Sequence, residues 1–319
     1  MARISFSSRV KGELARAYPE KACCCLAELA AIARQDGTVT IGEDDGIGFY
    51  IAAANTAVAR KLYRLIKDLF SIEGDLELRR QGKQGKQSRG RLCSIRLGAS
   101  EATTAMLRAL GILSPKKQIL PGIRKDLVKN KCCRRAYLRG AFLGGGSVNS
   151  PDSGYHLEFH AANEKLAADL SALINRFPGL QAKMSRRKHA FMVYLKEGDQ
   201  IADILTIMGA YSHLLEFENA RVMKGMSKQI RQIVNFETAN LGKTVDASAR
   251  QVRQINLIAD TIGLDALEPS LAQVARMRLE NPEINLKELG EIMIPPLGKS
   301  GVNHRLRKIG EIADKLAQP

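Results

Sequence analysis

The side chains best suited to chemistry in this chain are cations and amides, gathered in three runs. RRQGKQGKQSRGR (79–91) holds six basic residues, three glycines and no acid, SRRKH (185–189) is as basic, and KSGVNHRLRKI (299–309) mixes cations with Ser, Asn and His. Guanidinium and ammonium groups neutralise phosphates without reading sequence, whereas Arg and Asn can pair bidentately with guanine and adenine edges. The first two runs therefore predict phosphate contacts from Arg79, Arg80, Lys83, Lys86, Arg89 and Arg91, and from Arg186, Arg187 and Lys188. The third predicts base readout by Lys299, Ser300, Asn303, His304 and Arg307, with Arg305 and Lys308 on phosphates.

The whole composition agrees with a polyanionic partner. Across 319 residues, 49 Lys and Arg face 33 Asp and Glu, a formal charge of +16, so counterion release favours nucleic acid, here double-stranded DNA. No segment approaches the roughly 18 apolar residues of a membrane span, and MARISFSSRVKGELARAYPEK lacks a signal-peptide core, so a cytoplasmic, nucleoid-associated protein is expected and no membrane partner. Catalytic signatures are missing. The five His fall into no Ser/His/Asp or Cys/His constellation, there is no GxxxxGK[ST], and FLGGGS follows a helix, whereas a dinucleotide loop follows a strand. No catalytic residue is assigned. Cysteines occur as CCC (23–25), Cys93 and CC (132–133), without CxxC or Cys/His spacing. They read as small buried helix residues, because adjacent cysteines on a helix point to different faces, and no metal ligand set or cofactor is assigned.

These residues have to be held by something, and an internal repeat says what. CCCLAELAAIARQDGTV (23–39) and CCRRAYLRGAFLGGGSV (132–148) share six of seventeen positions without a gap: Cys23/Cys132, Cys24/Cys133, Ala27/Ala136, Leu29/Leu138, Gly37/Gly146 and Val39/Val148. Downstream, AAANTAVARKLYRLIKDLF (52–70) matches HAANEKLAADLSALINRF (160–177), and CSIRLGASEATTAMLRALG (93–111) more weakly matches FMVYLKEGDQIADILTIMG (191–209). Each copy reads as an apolar helix stopped by a glycine (Gly37, Gly146), two short strands, a helix capped by Asn55 or Asn163, a hairpin whose tip is a basic run, and a closing helix. The prediction is an α+β domain, (αββαββα) twice, with two four-stranded antiparallel sheets related by a pseudo-twofold. It occupies 21–228, repeats 21–112 and 131–228, after an N-terminal arm at 1–20.

Beyond it, 229–248 reads as a linker rich in Asn, Thr, Gly and Lys, and 249–319 as an all-α domain with helices at 249–263, 270–281, 286–293 and 299–316. Asn285 and Ser300 are the expected N-caps, and Pro295-Pro296-Leu297-Gly298 breaks the last two helices apart. LKELGEIM, IPPLG and SGVNHRLRKI together have the form of a helix-turn-helix at 285–309, with Val302, Leu306 and Ile309 as its buried stripe.

LAAIARQDG (29–37) matches the LAGLIDADG homing-endonuclease motif at Leu29, Ala30, Ile32, Asp36 and Gly37, and LRGAFLGGG (138–146) at Leu138, Gly140 and Gly146. With CCRRAYLRGAFLGGGSVN, LEFENARV, ETANLGKTV and KSGVNHRLRKI, the chain resembles the WhiA family of bacterial transcription regulators from about residue 5 to 316. That resemblance implies a degenerate LAGLIDADG domain ahead of the helix-turn-helix, and control of genes for cell division, chromosome segregation or sporulation. In LAGLIDADG nucleases the last acid of each motif binds metal beside the scissile phosphate, and each hard cation needs carboxylate oxygens. Here Asp36 is kept and Gly145 stands opposite it, so these are vestigial nuclease positions, with no metal assigned and no enzyme expected. The alternative is an active metal-dependent LAGLIDADG-type DNA endonuclease. A third reading makes the first domain a platform for RNA polymerase or a second regulator.

Overall fold

The structure is a computed structural model that describes residues 4–42, 46–53, 55–80, 91–187 and 190–317. It divides into two compact units, residues 1–224 and 225–319.

The first unit opens with α1 (Phe6–Arg16), whose Phe6, Val10 and Leu14 recur every four residues and are buried. Then the repeated pattern appears twice: α2 (Ala22–Asp36), β1 (Gly37–Ile41), β2 (Ile47–Ala53), α3 (Thr56–Phe70), β3 (Asp75–Arg80), β4 (Arg91–Leu97) and α4 (Glu101–Ala109); then α5 (Lys131–Gly145), β5 (Gly146–Val148), β6 (Leu157–Ala161), α6 (Glu164–Ile174), β7 (Lys183–Arg187), β8 (Ala190–Leu195) and α7 (Gly198–Met208). Two antiparallel sheets result, ordered β1-β2-β4-β3 and β5-β6-β8-β7. Strand alternation buries Phe49, Ile51 and Ile95 in the first sheet and Leu157, Phe159 and Val193 in the second, on the same side as the helices. The Asn55 and Asn163 side chains accept from the amides of Ala57 and Leu166, each at 2.8 Å, and so start α3 and α6 at the expected places.

At the centre, α2 and α5 run parallel and in register. A methyl group added at Gly140 would lie 2.3 Å from the Glu28 carbonyl oxygen and 2.9 Å from Ala31 Cβ, and one at Gly144 would lie 2.7 Å from Gln35 Cβ. Glycine here lets two helices touch backbone to side chain. Gly37 and Gly146 serve differently from the left-handed stops expected of them. Both have extended backbones (φ −87° and −89°) and begin a strand directly. They are small because a Cβ would strike Ala33 and Phe49 at the first, and Phe142 at the second.

Across this seam lies a buried ionic network. The Glu28 carboxylate takes Arg139 Nη2 at 2.6 Å and Nε at 2.9 Å, and pairs with Lys61, whose Nζ also donates to the carbonyls of Leu14 (3.0 Å) and Ala17 (2.6 Å). It joins α1, α2, α3 and α5 and satisfies charges that could not otherwise be buried.

α8 (Tyr211–Thr261) starts in the first unit, where Glu13 of α1 accepts from the Ser212 and His213 amides. The stretch 229–248, expected as a linker, is helical throughout, and the helix expected at 249–263 is its continuation. Residues 225–240 and 242–246 are exposed, so no buried stripe marks them as helix. No proline interrupts the chain between 211 and 261, so the helix runs on through Asn, Thr and Gly that favour it only weakly.

In the second unit, the end of α8 packs with α9 (Pro269–Glu280), α10 (Leu286–Glu291) and α11 (Lys299–Leu316) around Ile255, Ile258, Val274, Leu289, Val302, Leu306 and Ile309. Arg278, 1% exposed, donates from Nη1 to the carbonyls of Ile284 (2.7 Å) and Asn281 (3.2 Å) and closes the loop before α10.

Candidate nucleic-acid interface

α10, the break at 292–298 and α11 form the helix-turn-helix. Asn285 starts α10 with a capping box: its Oδ1 accepts from the amides of Lys287 (2.9 Å) and Glu288 (3.1 Å), and the Glu288 carboxylate accepts from the Asn285 amide at 3.1 Å. Ser300 is not a cap. The N-cap is Gly298, two residues earlier, and Ser300 sits inside the first turn of α11. Val302, Leu306, Ile309 and Ala313 are buried at three- and four-residue spacing. At 100° per residue, Ser300, Asn303, His304, Arg307 and Lys308 then turn away from that stripe, while Lys299, in the first turn, lies beside it; all six are exposed. Arg305 is half-buried on the flank of that face. The Arg307 Nε lies 3.6 Å from Glu311 Oε1, an exposed pair that holds the guanidinium weakly.

In the first unit, Arg186 and Arg187 are exposed on β7, with the Arg186 guanidinium 5.8 Å from the Phe191 ring centre. Arg79 and Arg80 end β3 and Arg91 begins β4, with Arg80 opposite Arg91 in register, while Lys83, Lys86, Arg89 and Lys188 lie outside the described residues. The sheet faces turned away from the helices add polar groups that the basic runs did not reveal. Thr38, Tyr50 and Arg96 align across β1, β2 and β4, and Lys183 and Tyr194 across β7 and β8, with Lys196 Nζ 5.1 Å from the Tyr194 ring centre. Strand alternation was the available signal for these.

At the C-terminal ends of α2 and α5, Asp36 and Gly145 stand at matching positions, as the repeat requires. The position opposite Asp36 is tight: a Cβ on Gly145 would meet Gln35 Oε1 at 3.1 Å and His160 Cβ at 3.3 Å. Lys11 of α1 reaches in, donating from Nζ to the Gly144 carbonyl at 3.2 Å, 5.9 Å from the Phe142 ring centre. Burial raises the Asp36 carboxyl above its usual range, countered by Lys11 and His160; burial lowers Lys11, countered by Asp36. Two divalent ions need several carboxylate oxygens. One carboxylate beside an ammonium does not fit them, and among the described residues no set of three His, Cys, Asp or Glu donors includes Asp36.

The fold and this face define a class: a tandem LAGLIDADG-like domain joined to a helix-turn-helix unit. Three family profiles match in order, the WhiA N-terminal LAGLIDADG-like domain at residues 22–113, the WhiA LAGLIDADG-like domain at 134–227 and the WhiA C-terminal HTH domain at 230–313. The chain belongs to the WhiA family. Proteins named "Probable cell division protein WhiA" are similar along almost their full length: 48% identical in Desulfitobacterium hafniense strain DCB-2, covering 99% of this chain and 97% of that one, and 45% identical in Desulforudis audaxviator, covering 98% of both. Full-length DUF199/WhiA from Thermatoga maritima, a crystal structure, shares the fold with a TM-score of 0.57 at 24% identity, over 99% of this chain and 100% of that one. Among the described residues, no helix is long and apolar enough to cross a membrane.

Proposed function

We propose that this chain is a sequence-specific, DNA-binding transcription regulator that binds duplex DNA without cutting it, and that its targets include cell-division genes. The observation that carries the reading is the exposed amide and cation face of α11, from Ser300 to Lys308, held outward by its buried opposite stripe. The names of the relatives support the cell-division assignment, and the Asp36, Lys11 and Gly145 arrangement supports binding without hydrolysis. In this scheme α11 reads base edges, and the basic hairpins of the first unit add phosphate contacts that any sequence can satisfy. The protein works on the nucleoid, in the cytoplasm.

Binding measured against an operator and a random duplex over a series of salt concentrations tests the division of labour. Arg307→Ala is expected to lose about 1–3 kcal/mol of discrimination, whereas Lys83→Ala with Lys86→Ala weakens both duplexes alike and flattens the salt slope by up to about two units. Equal losses on both duplexes in both variants would sink the scheme. Magnesium-dependent nicking of supercoiled plasmid that disappears in Asp36→Ala would show a nuclease instead.

A further inference from the structure

The cysteines were read as separate packing residues, and the structure brings four of them together. The Sγ atoms of Cys23, Cys24, Cys132 and Cys133 all lie within 4.8 Å of one another. They come from matching positions of the two repeats, in the first turn of α2 and the first turn of α5. Adjacent residues on one helix do diverge by 100°. Between two parallel helices in register, however, both members of each pair straddle the seam, and the pseudo-twofold turns two vicinal pairs into one cluster of four.

We propose that Cys23, Cys24, Cys132 and Cys133 form a tetrathiolate site for a single thiophilic divalent cation of the zinc class. A tetrahedral ion with bonds of about 2.3 Å holds its sulfurs roughly 3.8 Å apart. Cys132 and Cys133 Sγ are 3.9 Å apart, and the 4.8 Å limit on the set leaves only a small contraction to be made. An iron–sulfur cube attaches each thiolate to a different iron and spreads its ligands further, so one ion fits better. As the ion binds, each thiol gives up its proton to solvent and its sulfur lone pair to the metal, and no electron is transferred.

Two further features suit a thiolate cluster. Neither N-cap side chain, Lys21 or Asn130, bonds to the first turn it precedes, so the positive ends of two helices face the sulfurs, with Lys21 and Lys131 beside them. Access is open on one side, since Cys23 is exposed and Cys132 partly so, while Cys24 and Cys133 are buried. Four protein ligands leave no position for substrate, which makes the site structural. It would clamp the first turns of α2 and α5, about 18–20 Å along the helices from Asp36, and make the pairing of the repeats depend on metal.

The two remaining cysteines are internal controls: Cys25 Sγ donates to the Pro19 carbonyl at 3.3 Å, and Cys93 is buried in β4. The full chain, reduced and stripped with chelator, is titrated with cobalt(II). The expected result is one equivalent bound, with thiolate-to-cobalt charge transfer and the intense ligand-field bands of a tetrahedral site, both erased by zinc. Cys25→Ser and Cys93→Ser keep the spectrum, and Cys23→Ser with Cys132→Ser loses it while far-ultraviolet circular dichroism is unchanged. If that double variant unfolds, the wild-type spectrum and stoichiometry decide. Fully reduced wild-type protein that binds no cobalt overturns the proposal. So does a tetrahedral spectrum that survives in the double variant, or recovery of the four residues as two disulfides that reform in the presence of excess zinc.

Discussion

Removing the Glu28 carboxylate should destabilise the first unit severely and in a way that depends on pH. The side chains of Glu28, Lys61 and Arg139 are 0%, 1% and 14% exposed. Burial already lowers the Lys61 ammonium below its usual range, and Glu28 is the main group that opposes this. In Glu28→Ala, Lys61 keeps only the Leu14 and Ala17 carbonyls, so shedding its proton becomes the cheaper state. Neutralising a lysine at pH 7 costs about 1.36 kcal/mol for each of roughly 3.4 pH units below its ordinary value, or about 4.6 kcal/mol. Breaking a buried ion pair by losing one partner costs about 3–5 kcal/mol, so the two routes agree. The sign follows from proton counting. A lysine neutral in the folded state and charged when unfolded gives stability that rises with pH up to the unfolded value. The deficit of the variant should therefore shrink by about 2.7 kcal/mol between pH 7 and pH 9. The assay is selective, because all seven tyrosines precede residue 212 and there is no tryptophan, so tyrosine fluorescence during urea unfolding follows the first unit. Lys61→Met should cost less than Glu28→Ala, since Glu28 keeps its two bonds from Arg139. A Glu28→Ala deficit below about 1 kcal/mol, or one equal at both pH values, would refute the reasoning.

Two other outcomes follow from local geometry. Gly140→Ala forces a methyl onto the Glu28 carbonyl and Ala31, and should cost about 1–3 kcal/mol by the same tyrosine-detected unfolding; an unchanged midpoint would mean that α2 and α5 separate easily. Asn285→Ala removes the capping box and about 1 kcal/mol with it, so hydrogen exchange at Lys287 and Glu288 should accelerate roughly five-fold, and unaltered rates would show that the cap is dispensable.

Much of the architecture could be read from residue order. Asn55, Asn163 and Asn285 announced their helices because an N-cap is a local device, complete within three residues. The outward set on α11 was legible for a similar reason, as Val302, Leu306 and Ile309 fix the helix phase and so the opposite side. α8 was misread between 229 and 248, since an exposed helix carries no periodic stripe and its Asn, Thr and Gly speak weakly for helix. The cap expected at Ser300 lies two residues back, at Gly298, within the ordinary uncertainty of a helix start.

By itself, the sequence determined the repeat, the order of helices and strands, the helix-turn-helix pattern and the glycine, Gly145, that matches Asp36 in the second copy, because each is written in neighbouring residues or in a comparison of two segments. Only the tertiary structure decided what meets across the α2 and α5 seam: Glu28 with Lys61 and Arg139, Lys11 beside Asp36, and four thiols at the first turns. These groups are separated by up to 111 residues in the chain. Nothing local distinguishes a cysteine or a glutamate that packs alone from one that finds its partners when two parallel helices close.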